Sequence, residues 1–510
     1  RRWLETSPPS RANGGIASGR ACAPSACRMA GGVLKVVVRS PQLSKVVLAA
    51  GLQAAASSVA VIFVAADQKA KFWGQNLASI QAAYAIFFSI SGILGGSLYG
   101  RFSDSVDRRL AAGIYGLLSF LPGWTYLFMG LTSTALTVSS ILQIVACFGA
   151  GSNVMLVLAQ DVAKPEEHEA AFGAFYMVNS FINFIFLSIP ILLILVLKVI
   201  PVSPYLCLWY QVALSAGFFV CLSSVKPPPK QVSTPSRQDL LQEELMPELS
   251  PHKSRRGCST DNRLVQAVRT LVEPLRLGCG DQNIRASCLA AIFIAFSGDL
   301  VMDIGGQYFQ DSLGILPAGY RGVNLAEETT VSVLSVLPPQ LAIIPGYALA
   351  ALAMKCLGSR RLLLLLIPVS TLLTSSGALF QYDANDFTLG ITVVLLSYAS
   401  LANMPLFAFV KEVSPRDRIG EAMGALGSCQ QISNFVGNLI VSSLNPVLIH
   451  HFGRDGLWVY YPACGFLTLA ALIPILLIKS PDPVSTADDQ DSLSSSESSE
   501  ATSLESEDSN

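Results

Sequence analysis

Charged side chains are scarce in this chain of 510 residues: only 14% are Asp, Glu, Lys or Arg, against about 25% in ordinary soluble domains. Hydrophobic residues make up 51% of the sequence, and the mean hydropathy is +0.50. So few polar side chains cannot cover a water-soluble particle of this size, which excludes a soluble enzyme. The formal net charge of −1 also excludes a nucleic-acid-binding protein that depends on bulk positive charge.

Motifs for metal binding and catalysis are missing as well. The eleven cysteines include no Cys-x-x-Cys pair, and the four histidines have no ligand spacing. We therefore expect neither a metal site nor a cofactor. No loop offers a Ser/His/Asp set or a phosphate-cradling glycine loop, so a membrane enzyme is the weakest interpretation.

Long apolar runs of about 20 residues, by contrast, recur along the whole chain, and this length spans a bilayer as an α-helix. The sequence predicts an all-α polytopic membrane protein with two bundles of six spans each. The spans are predicted at about 44–66, 77–99, 110–131, 136–160, 170–197, 204–224, 286–309, 329–354, 362–380, 388–410, 422–443 and 457–478.

Lysine and arginine are distributed unevenly between the two sides of the predicted bundle. If both termini lie on one side, 29 of the 34 lysines and arginines fall on that side. The other side holds only Lys69, Lys71, Lys198, Arg321 and Arg454. Because cytoplasmic loops carry the excess of Lys and Arg, this bias predicts an integral membrane protein with both termini in the cytoplasm.

Three segments lie outside the predicted spans. Residues 1–43 are basic and rich in Arg, Ser and Ala, a composition shared by disordered tails and transit peptides. Residues 480–510 are acidic and Ser-rich, and we expect them to be disordered. The central cytoplasmic loop, 225–285, contains an amphipathic pattern over 264–275. This pattern predicts a short helix that lies either on the membrane surface or against the bundle.

The two halves of the chain contain related sequences. DVAKPEEHEAAFGAF after span 4 resembles EVSPRDRIGEAMGAL after span 10. Four pairs of identical residues are each 251 positions apart, namely Val162 and Val413, Gly173 and Gly424, Asn183 and Asn434, and Phe184 and Phe435. The arginine pairs 108–109 and 360–361 suggest an offset of 252. Parallel repeats of six spans are typical of proteins in which one half rocks against the other around a central site.

The loop after span 2 has the sequence GRFSDSVDRR and is a candidate gating loop. Gly92, Gly96 and Gly100 form a small-residue face that permits close approach of another helix. Asp104 is expected either to pair with Arg108 or Arg109 or to lie at the N-terminus of a neighbouring helix. Such a contact would hold the two halves together in one state. The alternative is a positively charged loop with no gating role.

Together these features resemble the major facilitator superfamily. The six-plus-six spans, the long central loop and the residues Gly100, Asp104, Arg108 and Arg109 are similar to that family's arrangement and signature. HEAAFGAF, GQYF and GSRRLLLL are similar to the tetracycline-efflux and hippocampus-abundant-transcript-like branch. The resemblance implies a carrier, since members of this branch are proton-linked drug or metabolite carriers, or orphans. Val145 occupies the place of the span 4 arginine of drug–proton antiporters, which disfavours multidrug antiport.

Ionisable residues within the spans are few, and span 7 contains two of them. Asp299, Asp303 and Gln307 share one helical face at i, i+4 and i+8. With no lysine or arginine in the membrane interior, burial and mutual repulsion favour the protonated carboxyl groups. We therefore predict that Asp299 and Asp303 bind and release a coupling proton. The alternative is structural, with Asp303 in a wetted vestibule and Asp299 bonded to a neighbouring helix.

Amide side chains repeat between the halves and are candidate substrate ligands. They are arranged so that Asn179 and Asn183 in span 5 correspond to Gln430 and Asn434 in span 11. A cavity lined by amides would bind a polar, hydrogen-bonding solute. The alternative is that they join helices to one another. The complete predicted set is Asn153, Asn179, Asn183, Gln307, Asn403, Gln430 and Asn434.

The sequence as a whole therefore predicts a monomeric secondary transporter of a small organic solute in a lipid bilayer. Protons are the expected coupling ion, and alternating access is the expected mechanism. Two alternatives remain open from the residues alone. One is a facilitative carrier without proton coupling, and the other is a non-transporting receptor or sensor on the same fold.

Overall fold

A computed structural model describes residues 35–60, 64–73, 77–150, 153–164, 167–195, 204–226, 281–297, 325–383, 385–415, 418–452 and 454–478. Over these residues the chain is helical and contains no strand, which confirms the predicted all-α class. The predicted segment 264–275 and the residues Asp299, Asp303 and Gln307 lie outside the described residues. So do the predicted tails, except for residues 35–43, where a helical turn over 35–39 precedes the first long helix.

The helices follow the predicted six-plus-six order. In the first half they are α1 Pro41–Ala60, α2 Ala66–Trp73, α3 Leu77–Ser105, α4 Arg108–Met129, α5 Ser133–Ala150, α6 Val154–Val162, α7 His168–Leu195 and α8 Pro204–Ser223. In the second half they are α9 Gln282–Ala295, α10 Leu325–Leu357, α11 Ser359–Ser375, α12 Asp386–Ala399, α13 Asn403–Val413, α14 Ile419–Phe452, α15 Tyr460–Leu469 and α16 Leu472–Leu477. Three 3₁₀ helices, Ser376–Tyr382, Ser400–Ala402 and Arg454–Val459, complete the order.

Ten of the predicted spans coincide with helical segments that are long and apolar enough to cross a membrane. Span 7 is represented by the 14 described residues of α9, which are apolar. Span 11 corresponds to α14, a helix of 34 residues. Large hydrophobic side chains also lie on the outside of the bundle: Phe128 is 82% exposed and Phe387 is 76% exposed. An outer surface of this kind is stable in lipid and not in water.

Spans 4 and 10, predicted as continuous, are each interrupted. Span 4 consists of α5 and α6, which are separated at Asn153, a residue in the left-handed conformation with φ 50° and ψ 31°. Span 10 consists of α12 and α13, which are separated by the 3₁₀ turn Ser400–Ala402. Asparagine tolerates the left-handed conformation better than most residues. In span 10, by contrast, Ala399, Ser400 and Asn403 remain in the right-handed helical region, so the 3₁₀ turn tightens the helix without breaking it.

Candidate functional site

The turns that follow α3, α6, α10 and α13 lie at one end of the bundle. We call this end the basic face because its turns and helix ends carry nine basic residues. They are Arg101, Arg108, Arg109, Lys164, Lys355, Arg360, Arg361, Lys411 and Arg418. The contacts between the two halves of the chain that are described below lie on the basic-face side of the bundle.

Glycines bring α3 of the first half into backbone contact with α14 of the second. A Cβ atom added at Gly100 would lie 2.1 Å from the carbonyl oxygen of Gly420, and one added at Gly424 would lie 2.1 Å from that of Gly96. One turn further from the basic face, the Ser428 hydroxyl accepts a hydrogen bond from the backbone N–H of Ser97 at 3.2 Å. The predicted small-residue face is therefore one of the surfaces on which the two halves meet.

A second pair of helices, α7 and α10, repeats this contact with the halves exchanged. A Cβ atom at Gly173 would lie 2.3 Å from the Cβ of Ala351. One turn along, the rings of Tyr176 and Tyr347 stack with their centroids 5.2 Å apart. Gly173 and Gly424 are 251 residues apart, so the repeat seen in the sequence places equivalent glycines at equivalent interfaces.

Asp104 lies where α3 ends and joins three elements. Its carboxylate accepts hydrogen bonds from the backbone N–H groups of Gly420 at 3.0 Å and Glu421 at 2.9 Å. These groups belong to the first turn of α14, where unpaired N–H groups and the helix dipole favour an anion. The same carboxylate accepts a bond from Arg108 at 2.7 Å. Asp104 thus makes both contacts that the sequence offers it, and one of them crosses between the halves.

The two arginines of this loop have separate roles. Arg108 also forms an ion pair with Asp161 at the end of α6. Arg109 pairs with Asp107, which caps α4 by accepting a bond from the Arg109 backbone N–H at 2.9 Å. Hydrogen bonding to the Arg109 side chain lowers the pKa of Asp107, so this cap stays charged at neutral pH. Arg109 further donates to the Val225 carbonyl at 2.8 Å, which ties the loop to the end of α8.

The corresponding turn of the second half shows that 251, and not 252, is the correct offset here. Arg360 donates to the carbonyl of Leu476 at 3.4 Å, as Arg109 does to Val225. The hydroxyl of Ser359 donates to Glu412 at 2.9 Å, in the place of the ion pair between Arg108 and Asp161. Arg108 therefore corresponds to Ser359, and the pairing of Arg108 with Arg360 inferred from the sequence was wrong by one residue.

The amides of α7 lie further from the basic face than Gly173 and Tyr176 of the same helix. Asn183 is 15 residues from the first residue of α7, about 22 Å along the helix. Its side chain is only 8% exposed, and its Oδ1 atom has no hydrogen-bond partner in the described part of the chain. The buried Oδ1 of Asn179 is also without one there. A buried acceptor without a protein partner is costly unless water or a ligand bonds to it.

The amides of the second half are more engaged with one another. Gln430 of α14 donates to the side chain of Asn403, the first residue of α13, at 3.1 Å. Asn434 is 8% exposed and accepts a bond at its backbone carbonyl from Asn438 at 2.8 Å. Asn403 follows the interruption of span 10, as Asn153 marks that of span 4. Among the described residues, no cluster of His, Cys, Asp or Glu could hold a metal ion.

Comparison with known proteins decides the family. The family model described as Major Facilitator Superfamily matches residues 46–438. The chain belongs to the major facilitator superfamily. It is thus a polytopic integral membrane protein of a family of transporters, which confirms the resemblance to this superfamily. No curated protein matches the sequence.

Solved structures of transporters share the fold. The proton:xylose symporter XylE bound to 6-bromo-6-deoxy-D-glucose superimposes with a TM-score of 0.58 at 15% identity, over 86% of this chain and 96% of that chain. The human organic anion transporter MFSD10 (TETRAN) gives 0.51 at 14% identity, over 89% and 100%. A bacterial homologue of the iron transporter ferroportin, in an outward-facing state with soaked iron, gives 0.53 at 11% identity, over 86% and 98%.

Several interface residues of this superfamily member were missed by sequence reasoning. Asp161, Lys411, Glu412, Gly420 and Ser428 are not among the site residues predicted from the sequence. The offset of 251 contains the missing signal, because it aligns Asp161 with Glu412. Asp161 bonds to Arg108, the first residue of α4, and Glu412 bonds to Ser359, the first residue of α11. Applied to every polar residue, the offset would have identified this pair.

Proposed function

We propose that this superfamily member is a secondary active transporter of a small, polar organic solute, working by alternating access and coupled to protons. The observation that carries the proposal is the pseudo-symmetric closure of the basic face. The pairs α3–α14 and α7–α10 join the halves on that side, and the equivalent glycines Gly424 and Gly173 lie at these contacts. Amide side chains lie further along α7 and α14. Two halves that meet on equivalent helices can rock between this arrangement and one that is open on the same side.

The amides support a hydrogen-bonding substrate. An amide offers both a donor and an acceptor, which suits hydroxyl, amide or carboxyl groups of a small solute. We further propose that the basic face is cytoplasmic, because it carries the excess of lysine and arginine. On the motifs HEAAFGAF and GSRRLLLL we place the chain in the tetracycline-efflux and hippocampus-abundant-transcript-like branch, and we propose that it acts as a monomer.

The roles of Asn183 and Asn403 are expected to differ. Asn183→Ala should raise KM for the transported solute about three- to tenfold, the value of one hydrogen bond, with little loss of stability. Asn403→Ala should lower the free energy of unfolding by about 0.6 kcal/mol because Gln430 loses its partner. Uptake kinetics and thermal unfolding of the two variants check this. A folded Asn183→Ala protein with an unchanged KM would contradict the substrate role.

Proton coupling is tested by uptake into proteoliposomes under an imposed pH gradient, screened over sugars, amino acids, organic acids and drugs. We expect accumulation that depends on the gradient and is lost in Asp299→Asn and Asp303→Asn. Without an ionisable carboxyl group, neither variant can carry a proton at that position. Equilibrating flux that ignores the gradient would instead make the protein a facilitative carrier.

Asp281→Asn provides a matched control on the same span. Asp281 caps α9 by accepting bonds from the backbone N–H groups of Asn283 at 2.7 Å and Ile284 at 3.1 Å. Asparagine caps helices about as well as aspartate. The control should therefore keep gradient-driven accumulation. Loss of coupling in all three variants would show that the effect is not specific to Asp299 and Asp303.

A further inference from the structure

The basic face contains a second polar contact between the halves, and it involves a histidine. The ammonium nitrogen of Lys411, near the end of α13, lies 2.8 Å from Nδ1 of His168, the first residue of α7. The two residues belong to different halves and are 243 positions apart. Neither was singled out by the sequence, and neither takes part in the Asp104 contact.

The repeat explains why α7 is held differently from α14. The residue that corresponds to Asp104, 251 positions further on, is Lys355. A lysine cannot accept bonds from backbone N–H groups, and its charge is unfavourable at a helix N-terminus. Lys355 is exposed. Lys355 of α10 therefore cannot hold the first turn of α7 as Asp104 holds the first turn of α14. The bond between Lys411 and His168 joins α7 to the second half at this end.

The hydrogen bonding of this pair depends on its protonation. When only one of the two side chains is protonated, either the Lys411 ammonium or the His168 imidazolium, it donates a hydrogen bond to the neutral nitrogen of the other. A second proton leaves no acceptor and places two cations 2.8 Å apart. The positive end of the α7 dipole disfavours the imidazolium further. Histidine is the side chain that changes charge most readily between pH 5 and 8.

Charged residues of both halves surround the contact between Lys411 and His168. Lys411 experiences Asp161 of α6, Arg108 of α4 and Glu412 of its own helix. Asp161 is engaged by Arg108, and Glu412 by Ser359. Two other helices that pack against α7 contribute basic residues: Lys355 of α10 is exposed, and Lys45 of α1 donates to the carbonyl of Ser224 at 2.9 Å.

We propose that His168 and Lys411 form a proton-binding site whose full protonation separates α7 from α13 and favours opening of the basic face. The proposal rests on the rocking movement proposed above, but not on transport of any solute. By linkage, if the open state binds the proton tenfold more tightly, the ratio of open to closed protein rises about tenfold as the site fills. The contact is thus present at higher pH and lost as the pH falls.

The test is a distance measurement on the purified full-length protein between pH 8 and pH 5.5. Spin labels are placed on Lys164→Cys in the first half and on the exposed Cys356 in the second, with the other cysteines replaced by alanine. The fraction of molecules with the longer distance should rise as the pH falls. His168→Gln, which keeps a hydrogen-bonding side chain without the titration, should remove this rise, and Lys411→Gln should weaken it.

His450→Gln is the matched control, because this exposed histidine lies at the other end of α14, beside His451. It should behave like the unmodified protein. A pH response that persists in His168→Gln, or the absence of a response in the unmodified protein, would overturn the proposal. Because the readout is a distance, failure to transport any solute would contradict the proposed function and leave this result standing.

Discussion

Asp104→Asn is expected to release α3 from the beginning of α14 and to shift the protein toward states in which the basic face is open. Hydrogen bonds to a charged group contribute about 1.5–3 kcal/mol, and those to a neutral group about 0.5–1.5 kcal/mol. Loss of the charge should therefore weaken the contacts with Gly420 and Glu421 by about 1–3 kcal/mol in total. This corresponds to about a 5- to 150-fold change in the ratio of open to closed protein.

The shift can be measured by the reactivity of a thiol between the halves. Ser97 is 3% exposed and bonds to Ser428 across the α3–α14 contact. A Ser97→Cys thiol should react with a water-soluble reagent only when the basic face opens, and Asp104→Asn should accelerate its labelling.

Asp107→Asn, in the same loop, is the control for this experiment. The bonds described for the Asp107 side chain go to Arg109 alone, within its own half. Its substitution should leave the labelling rate near that of the unmodified loop. Equal rates in the Asp104 and Asp107 variants would show that the carboxylate of Asp104 does not hold the halves together.

Gly100→Ala and Gly424→Ala are expected to force α3 and α14 apart. Each added Cβ would lie 2.1 Å from a carbonyl oxygen of the facing helix, and backbone atoms cannot move aside without moving the helix. Overpacking of a core costs about 1–3 kcal/mol even where side chains can adjust. We expect at least this loss for the closed arrangement, measured as a lower midpoint of thermal unfolding or as faster labelling of Ser97→Cys.

Gly390→Ala separates this effect from the general effect of alanine in a helix. Gly390 lies in α12, and nothing lies within 4 Å of its added Cβ. Alanine is favoured over glycine inside a helix by about 0.5–1 kcal/mol, so this variant should be as stable as the unmodified protein or slightly more so. If Gly100→Ala behaved in the same way, close packing of the glycines would not be needed for closure.

Much of this fold follows from local sequence. Runs of about 20 apolar residues identify membrane spans wherever they occur, because backbone groups in lipid must be paired within a helix. The spacing of Gly92, Gly96 and Gly100 indicates a face for close helix contact, and the repeated residues indicate two related halves. Because Asp104 lies one turn before Arg108 and Arg109, its expected partners are these arginines or the N-terminus of a neighbouring helix. All of these predictions can be made without information on which helices are neighbours in the fold.

The interruptions of spans 4 and 10 could not be derived in the same way. Asn153 and Ser400–Ala402 lie within apolar segments, and hydropathy does not distinguish a continuous helix from two short ones. The bond between Gln430 and Asn403 could not be derived from the sequence either. Each side chain has several possible partners until α13 is placed against α14. Comparing identical residues paired Arg108 with Arg360, which is wrong by one residue. The contacts of Arg109 with Val225 and of Arg360 with Leu476 show that Arg109 and Arg360 are equivalent.

The sequence by itself determined that this protein is an all-α membrane protein of two related halves, with a glycine face and a charged loop between spans 2 and 3. Only the tertiary structure decided that Asp104 binds the beginning of α14, that Gly100 meets Gly420, and that His168 meets Lys411. These partners are more than 240 residues apart along the chain. Their contacts depend on how the packed helices orient both halves, and periodicity within one segment carries no information about that orientation.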